Sequence, residues 1–300
     1  MNLVDCREVT KKFGRVKAVD EFSFQLSANK ILGLIGRNGA GKTTLLKMIA
    51  GHFLPNKGEL KVFDMHPFNN LQVAANMIFV DDYLHIPQSM YLEEIIEVMP
   101  RFYENWNSGL AKGLVDYFDL PLKQNYQKLS TGMKSTFNSI LGISARCPLT
   151  VLDEPTLGMD AAVRQDIYRA LLKDFMDYPR TIILSSHLLN EVEHILEEVL
   201  LMDEGRRILH LPIDELKECL IGLQGSEQEI DKWVELHESY HMKRIGKDQI
   251  YVVIPNKFLP DELGKLRSHG VEVSYISPAD ICVYLTAKDK GGVDRVFEQT

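Results

Sequence analysis

The sequence predicts an α/β fold over roughly its first two hundred residues, a mixed but largely parallel sheet with helices on its faces, followed by a small α+β domain. Three observations carry that prediction. Short apolar runs alternate with helix-like stretches as far as Gly205. One of them, Ile31-Leu32-Gly33-Leu34-Ile35, is apolar throughout, as a strand buried on both sides must be, and it runs into a glycine-rich turn. Beyond Gly205 the order becomes strand, helix, strand, strand, helix, strand, the ferredoxin-like arrangement.

Taken in order, the elements follow from local pattern. After the Ile31–Ile35 strand and its turn, a helix is predicted from Thr43 to Ala50, stopped by Gly51. Pro55-Asn56-Lys57-Gly58 reads as a turn into a strand at Glu59–Phe63. The strand signal disappears between Asp82 and Lys128, where Tyr91–Phe102 and Gly109–Phe118 read as helices. A helical subdomain is therefore set at about residues 82–145. Its aromatics (Tyr91, Phe102, Tyr103, Trp106, Tyr117, Phe118) have two readings, a small core of its own or a docking surface. A helix at Lys134–Ala145 and apolar strands at Thr150–Leu152 and Thr181–Leu184 follow. In the second part, strands are predicted at Leu220–Gly225, Ser239–Ile245, Gln249–Ile254 and Val271–Ile276, with helices at Glu227–Leu236 and Pro260–Ser268. Residues 1–210 and 211–300 are set as two domains.

At 300 residues the chain is too long for one ordinary domain and comfortable for two. Its 45% hydrophobic and 25% charged content is that of a folded rather than a disordered chain. A formal net charge of -8 supplies no global attraction to nucleic acid or an anionic membrane surface, so no nucleic-acid partner is expected. Cys6, Cys147, Cys219 and Cys282 are scattered, form no C-x-x-C pair, and read as reduced thiols without chemistry. Met1-Asn2-Leu3-Val4-Asp5 meets charge at once and lacks the apolar stretch of a signal peptide. No run approaches the roughly 18 apolar residues of a membrane span, so any service to a membrane is expected from outside the bilayer.

Gly36-Arg37-Asn38-Gly39-Ala40-Gly41-Lys42-Thr43 fits G-x-x-x-x-G-K-[ST] completely, after a buried strand and before a helix. Glycines let the backbone wrap closely around phosphates with its N–H groups turned inward, and the helix adds the positive end of its dipole. Lys42 is expected to reach the β- and γ-phosphates of a nucleotide, Thr43 to ligate Mg²⁺, and Thr44 to contact the α-phosphate side. Leu149-Thr150-Val151-Leu152-Asp153-Glu154 is an apolar strand ending in adjacent carboxylates, and in an open α/β sheet a strand tip points into the ligand crevice. Asp153 is then placed to hold Mg²⁺ through water, and Glu154 to polarise a water attacking the γ-phosphate. A solvated acidic turn is the plainer reading of Asp-Glu alone. Leu129-Ser130-Thr131-Gly132-Met133 precedes a helix, where Ser130 alone reads as an N-cap.

In this order and spacing, the phosphate loop, Leu129–Met133, the run Asp153-Glu154-Pro155-Thr156-Leu157-Gly158-Met159-Asp160 and Ser185-Ser186-His187 resemble the ABC ATPase family. The resemblance covers Leu3 to Gly205 and implies a P-loop NTPase fold of ABC type that takes ATP and Mg²⁺. It also implies two nucleotide domains meeting head to tail. Gly36, Asn38, Gly39, Ala40, Gly41, Lys42, Thr43 and Thr44 of one subunit would hold the phosphates. Ser130, Thr131 and Gly132 of the other would approach the γ-phosphate. Asp160 resembles the residue that links the two sites, and His187 the switch histidine that touches the γ-phosphate and holds the attacking water. Phe13 resembles the aromatic on which adenine stacks, with core packing as its plainer reading; a partly buried structural histidine is that of His187. On this resemblance Lys42, Glu154 and His187 are the catalytic candidates, and Thr43, Asp153 and Asp82 the metal candidates.

Two positions depart from the family pattern. Asp82, or Asp81, stands where a glutamine usually senses Mg²⁺ and the lytic water. Thr131 replaces the first glycine of the signature, which fits only if its backbone stays out of the left-handed region. The stretch Phe102–Asn107 and the trailing domain look most like ATP-binding subunits of bacterial ABC-2-type exporters of antibiotics or antimicrobial peptides. That implies a peripheral ATPase on the inner face of the cell membrane, a second ATPase subunit (identical or a paralogue), a separate membrane-spanning permease subunit, and an amphipathic cargo. The alternatives are a non-transport ABC ATPase on ribosomes or DNA and an ATP-binding regulatory module. The first usually carries two nucleotide domains or a long coiled-coil insertion, neither of which is present; the Asp153-Glu154 pair argues against the second.

Overall fold

A computed structural model describes residues 2–81, 86–87, 89–234 and 239–287. It divides into two units, residues 1–211 and 212–300. The first opens with a long antiparallel pair, β1 (Asn2–Phe13) and β2 (Val16–Ser27). Strand β3 (Ile31–Ile35), buried at every residue, leads through the glycine-rich loop into helix α1 (Lys42–Ile49). Strand β4 (Lys57–Val62) pairs with β1, so the expected Glu59–Phe63 strand belongs to a separate sheet of order β2-β1-β4. Then come α2 (Leu71–Ala75), capped by the Asn70 side chain, and β5 (Met77–Val80).

Helices α3 (Leu92–Val98), α4 (Ser108–Tyr117) and α5 (Thr131–Ser144) follow. The single helix expected over Tyr91–Phe102 is shorter: Pro100 has no N–H to donate, and Met99–Arg101 tightens into a 3-10 turn. The expected Lys134–Ala145 helix begins earlier, at Thr131, because the Ser130 hydroxyl accepts from Met133 N and caps it there. The aromatics divide between the core and the surface. Trp106 and Phe118 pack on the core built from Leu92, Ile96, Val115 and Phe137, while Phe102 and Tyr117 are exposed.

The rest of the unit is β6 (Leu149–Leu152), α6 (Ala161–Asp177), β7 (Thr181–Ser186), α7 (Leu189–Val192), β8 (Glu198–Asp203) and β9 (Arg206–Pro212). The six-stranded sheet has the order β5-β6-β7-β3-β8-β9, and its first five strands are parallel. Register decides the rest. Val80 lies beside Leu152, Leu152 beside Leu184, and Ile35 beside Ser186. The residues that leave these four strands (Gly36, Asp81, Asp153 and His187) therefore emerge along one edge. Away from it, Asp174 and Arg180 are almost wholly buried: Arg180 Nη1 donates to Asp174 Oδ2 (2.9 Å), and Arg146 Nε reaches Oδ1 (3.0 Å). Burial pulls the Arg180 guanidinium below its ordinary pKa.

The second unit contains α8 (Ile213–Glu218), β10 (Leu220–Ser226), α9 (Glu227–Val234), β11 (His241–Arg244), β12 (Gln249–Pro255), α10 (Pro260–Ser268), β13 (Glu272–Tyr275) and α11 (Pro278–Leu285). Its sheet has the order β11-β12-β10-β13, antiparallel throughout. Ile230 of α9 and Leu266 of α10 share a core with Ile221, Leu223, Val252 and Ile254. Residues 235 and 236, at the end of the expected Glu227–Leu236 helix, lie outside the described residues. Among the described residues no helix is long and apolar enough to cross a membrane.

Burial pushes the thiols of Cys6, Cys147 and Cys282 up to about 12. Their thiolate fraction at pH 8 is then on the order of 10⁻⁴, and the thiolate is the nucleophile. The folded protein is expected to give at most one fast reaction with a thiol-exchange reagent at pH 8, from Cys219, and all four only when unfolded. Fast reaction of two or more would contradict this burial. Because folding keeps these thiols protonated, their stabilising contribution is full below the ordinary thiol value of 9.0 and is lost as pH rises towards 12.

Candidate functional site

The glycine-rich loop is shaped by what crowds it. A Cβ on Gly36 would lie 2.3 Å from Met202 O, and one on Gly41, whose φ is 108°, would lie 2.1 Å from Ala18 O. Neither position accepts a side chain, so the loop folds tightly between β8 and β2. Gly36 N donates to Ser186 O (3.3 Å), and Ala40 O accepts from Gly205 N (2.8 Å). Helix α1 starts directly from Gly41 with no side-chain cap, which leaves its first N–H groups for an anion. The Lys42 ammonium is buried; it donates to Gly36 O (2.7 Å) and lies 3.2 Å from Glu154 Oε1.

Across the cleft, Asp153 is buried and accepts from Ser185 Oγ (2.6 Å). The same hydroxyl accepts from Glu154 N (2.9 Å), so one serine of β7 orients both carboxylate residues. Glu154 has a positive φ of 47°, a conformation that costs of order 1–3 kcal/mol and turns its carboxylate into the cleft. Its Oε2 lies 2.9 Å from His187 Nδ1. Its Oε1 is sealed from solvent and faces Lys42 without hydrogen-bond alignment. His187 is 37% exposed in the turn between β7 and α7. Asn38, Thr43, Asp81, Asp153, Glu154 and His187 together line a cleft of about 290 Å³. Gly39, Ala40, Gly41 and Thr44 line its neighbour on the loop side.

Asp81 also lines the cleft and pairs with Lys47 of α1 (3.2 Å), a contact that the sequence reading missed. Asp82 lies outside the described residues. Thr43 and Asp153 offer hard oxygen donors on the same cleft, a set that suits Mg²⁺. Among the described residues no three His, Cys, Asp or Glu gather as a metal cluster. Ser185 is the functional residue the sequence reading named only as part of a motif. Its signal is two serines ending a strand that is otherwise apolar.

Ser130, Gly132 and Asp160 are brought together, but elsewhere. With Met133, Gly158 and Val163 they line a separate concavity to which no residue of the glycine-rich loop contributes. Ser130 Oγ caps α5, and the Asp160 carboxylate accepts from Ala162 N and Val163 N to cap α6. A Cβ on Gly132 would lie 2.5 Å from Gly158 O, so the first turn of α5 presses against the Gly158 loop. Thr131 is the first residue of α5 and takes helical dihedrals, which removes the objection to its replacing a glycine. Phe13, at the end of β1, is 47% exposed, packs edge-on against Phe53 (5.5 Å) and carries Lys11 Nζ at 5.3 Å. It is not a core residue, and it lines neither part of the cleft.

Residues 19–157 match the family model described as ABC transporter. The chain is 26% identical over 222 residues to the ABC transporter ATP-binding protein YtrB of Bacillus subtilis, covering 74% of this chain and 76% of that protein. It is 26% identical over 307 aligned residues to the bacitracin transport ATP-binding protein BcrA of Bacillus licheniformis, covering 93% of this chain and 94% of that one. Among solved structures, an ATP-binding subunit of an ABC transporter superposes with a TM-score of 0.64 at 20% identity, over 72% of this chain and 92% of that one. At that identity the likeness speaks for the fold.

Proposed function

We propose, from the premise that residues 19–157 are an ABC transporter domain, that this chain is the ATP-hydrolysing subunit of an exporter. The observation that carries this reading is the shared edge. A complete phosphate loop, a strand-end carboxylate pair and a histidine converge on one cleft. The reaction is in-line attack of water on the γ-phosphate of ATP, with catalysis by positioning and charge. The loop N–H groups and the start of α1 bind the phosphates, and Lys42 turns its ammonium from Glu154 and Gly36 O to their charge. Glu154 takes the proton of the attacking water, and His187, 2.9 Å from that carboxylate, holds the water and the γ-phosphate. Thr43 and, through water, Asp153 would hold Mg²⁺, which supplies neutralisation of phosphate charge.

Because Ser130, Gly132 and Asp160 open on a different concavity, a second copy is needed to bring them to the γ-phosphate. The chain therefore acts as a dimer with itself or with a paralogue. The relative with bacitracin transport in its name, similar over nearly the whole chain, supports a membrane-spanning partner and an amphipathic cargo such as a peptide or drug. We take the second unit as a ferredoxin-like accessory domain of residues 211–300, and residues 82–145 as the helical subdomain.

Mild-detergent affinity capture from the native cell membrane, with ATPase assayed on the eluate, is the test. Co-recovery of a multi-span protein, with activity lost in Glu154→Gln, is the expected result. Recovery of ribosomes or DNA instead, with turnover intact, would end the transport reading and leave the ATPase.

A further inference from the structure

Asp160 and His187 belong to different loops, separated by the whole of α6 and β7, yet one side chain joins them. Arg164 stands one turn into α6, its N–H bonded to Asp160 O (3.1 Å). Its guanidinium turns back to Met159 O through Nη2 (3.3 Å) and reaches across to Glu191 Oε1 through Nη1. Glu191 lies on α7, whose first residue is two places after His187, and its N–H bonds Leu188 O (3.3 Å). Leu188 N in turn is held by Ser186 Oγ (3.0 Å), so the turn that carries His187 is short and tied at both ends. Both members of the ion pair are about three-quarters buried, where an ionic contact is less screened than on an open surface. Arg164 Nε is sealed off without a partner. An orientation that leaves a buried donor unmet persists only because the other two contacts determine it.

The loop in between is braced from two further sides. Leu157 N bonds Glu154 O and Met159 N bonds Thr156 O (each 3.2 Å), which ties the hydrolysis carboxylate to the Asp160 end. Underneath, the Thr156 hydroxyl meets the buried Tyr168 hydroxyl (3.0 Å). On the outer side, Gly158 presses on Gly132 at the start of α5. With these contacts made, Arg164 links the Asp160 end of this braced loop to the His187 turn, as the Glu154–His187 contact (2.9 Å) does at its other end.

We propose that the Arg164–Glu191 pair is a positioning strap. It makes the Asp160 loop, which faces the second copy, and the His187 turn, which faces the γ-phosphate, move as one body. Closure around a second copy then sets His187 for hydrolysis. Neither residue lines the nucleotide cleft, so the strap acts on turnover and not on ATP affinity. The inference rests on the ATPase reading.

The test is steady-state hydrolysis by the full chain, with kcat and KM separated, in the wild type, Arg164→Ala, Glu191→Ala, both alanines together, and the exchanged pair Arg164→Glu/Glu191→Arg. Each single alanine is expected to lower kcat about 10- to 100-fold, the scale of a small misplacement at a reaction centre, with KM within about twofold of wild type. The double alanine should be no worse than the worse single change, and the exchanged pair should recover activity above either. Unchanged kcat in Arg164→Ala, losses that multiply in the double variant, or a loss confined to KM would overturn the strap and leave hydrolysis standing. A wild-type chain that binds ATP and turns none over would remove the ATPase reading, and the strap with it.

Discussion

Glu154→Gln is expected to lower ATP turnover by about 10²- to 10⁴-fold, the usual contribution of a positioned general base, while ATP binding is kept. The substitution preserves size and the positive-φ backbone of that position, and an amide can still meet His187 Nδ1 if the imidazole tautomer adjusts. What it removes is the ability to take a proton. It also removes the negative charge 3.2 Å from Lys42, which frees the ammonium for phosphate. Affinity for ATP should therefore hold or rise, and the ATP-bound dimer should accumulate. Single-turnover hydrolysis and sizing in MgATP measure both effects. Retention of more than a tenth of the wild-type rate would move the base elsewhere in the cleft, with Asp81 and Asp153 as the remaining carboxylates.

The second large effect is on stability. Asp174→Ala is expected to destabilise the first unit by about 3–5 kcal/mol, because it leaves a charged guanidinium buried without its counter-charge. The Arg180 side chain is 1% exposed, and its remaining partners are the Ile143 and Tyr178 carbonyls and the Thr150 hydroxyl. A guanidinium does not escape by losing its proton, because its delocalised charge persists in protein interiors. The urea midpoint of the first unit reads the loss directly. A change below about 1 kcal/mol would mean that water reaches the guanidinium once the aspartate is gone.

What could be read in the chain was what local demands dictate. The phosphate loop is legible because crowding at Gly36 and Gly41 acts on eight consecutive residues. Strand β3 is legible because burial on both faces leaves an unbroken apolar run, and β6 and β7 because it leaves short apolar stretches at Val151-Leu152 and Ile182-Ile183-Leu184. Strands β1 and β2 escaped notice because several register shifts interrupt their alternation. The start of α5 was read late, since a β-branched Thr131 and Gly132 weaken the helical signal that Ser130 restores by capping. The roles of Ser185, about thirty residues from Asp153 and Glu154, and of the Lys47–Asp81 and Arg164–Glu191 pairs, come from tertiary packing alone. No spacing rule announces them.

The separation of the Ser130–Asp160 concavity from the phosphate-loop cleft bears on where ATP is consumed. On the proposed reading each chain carries the parts of a reaction centre and completes it only with a second copy, so specific activity should depend on concentration. Dilution below the pairing constant would then silence hydrolysis without any inhibitor. Two copies tethered to one assembly meet at an effective concentration of about millimolar. On the proposed exporter reading, free subunits would idle while docked ones work, and fuel would be spent where cargo can be moved.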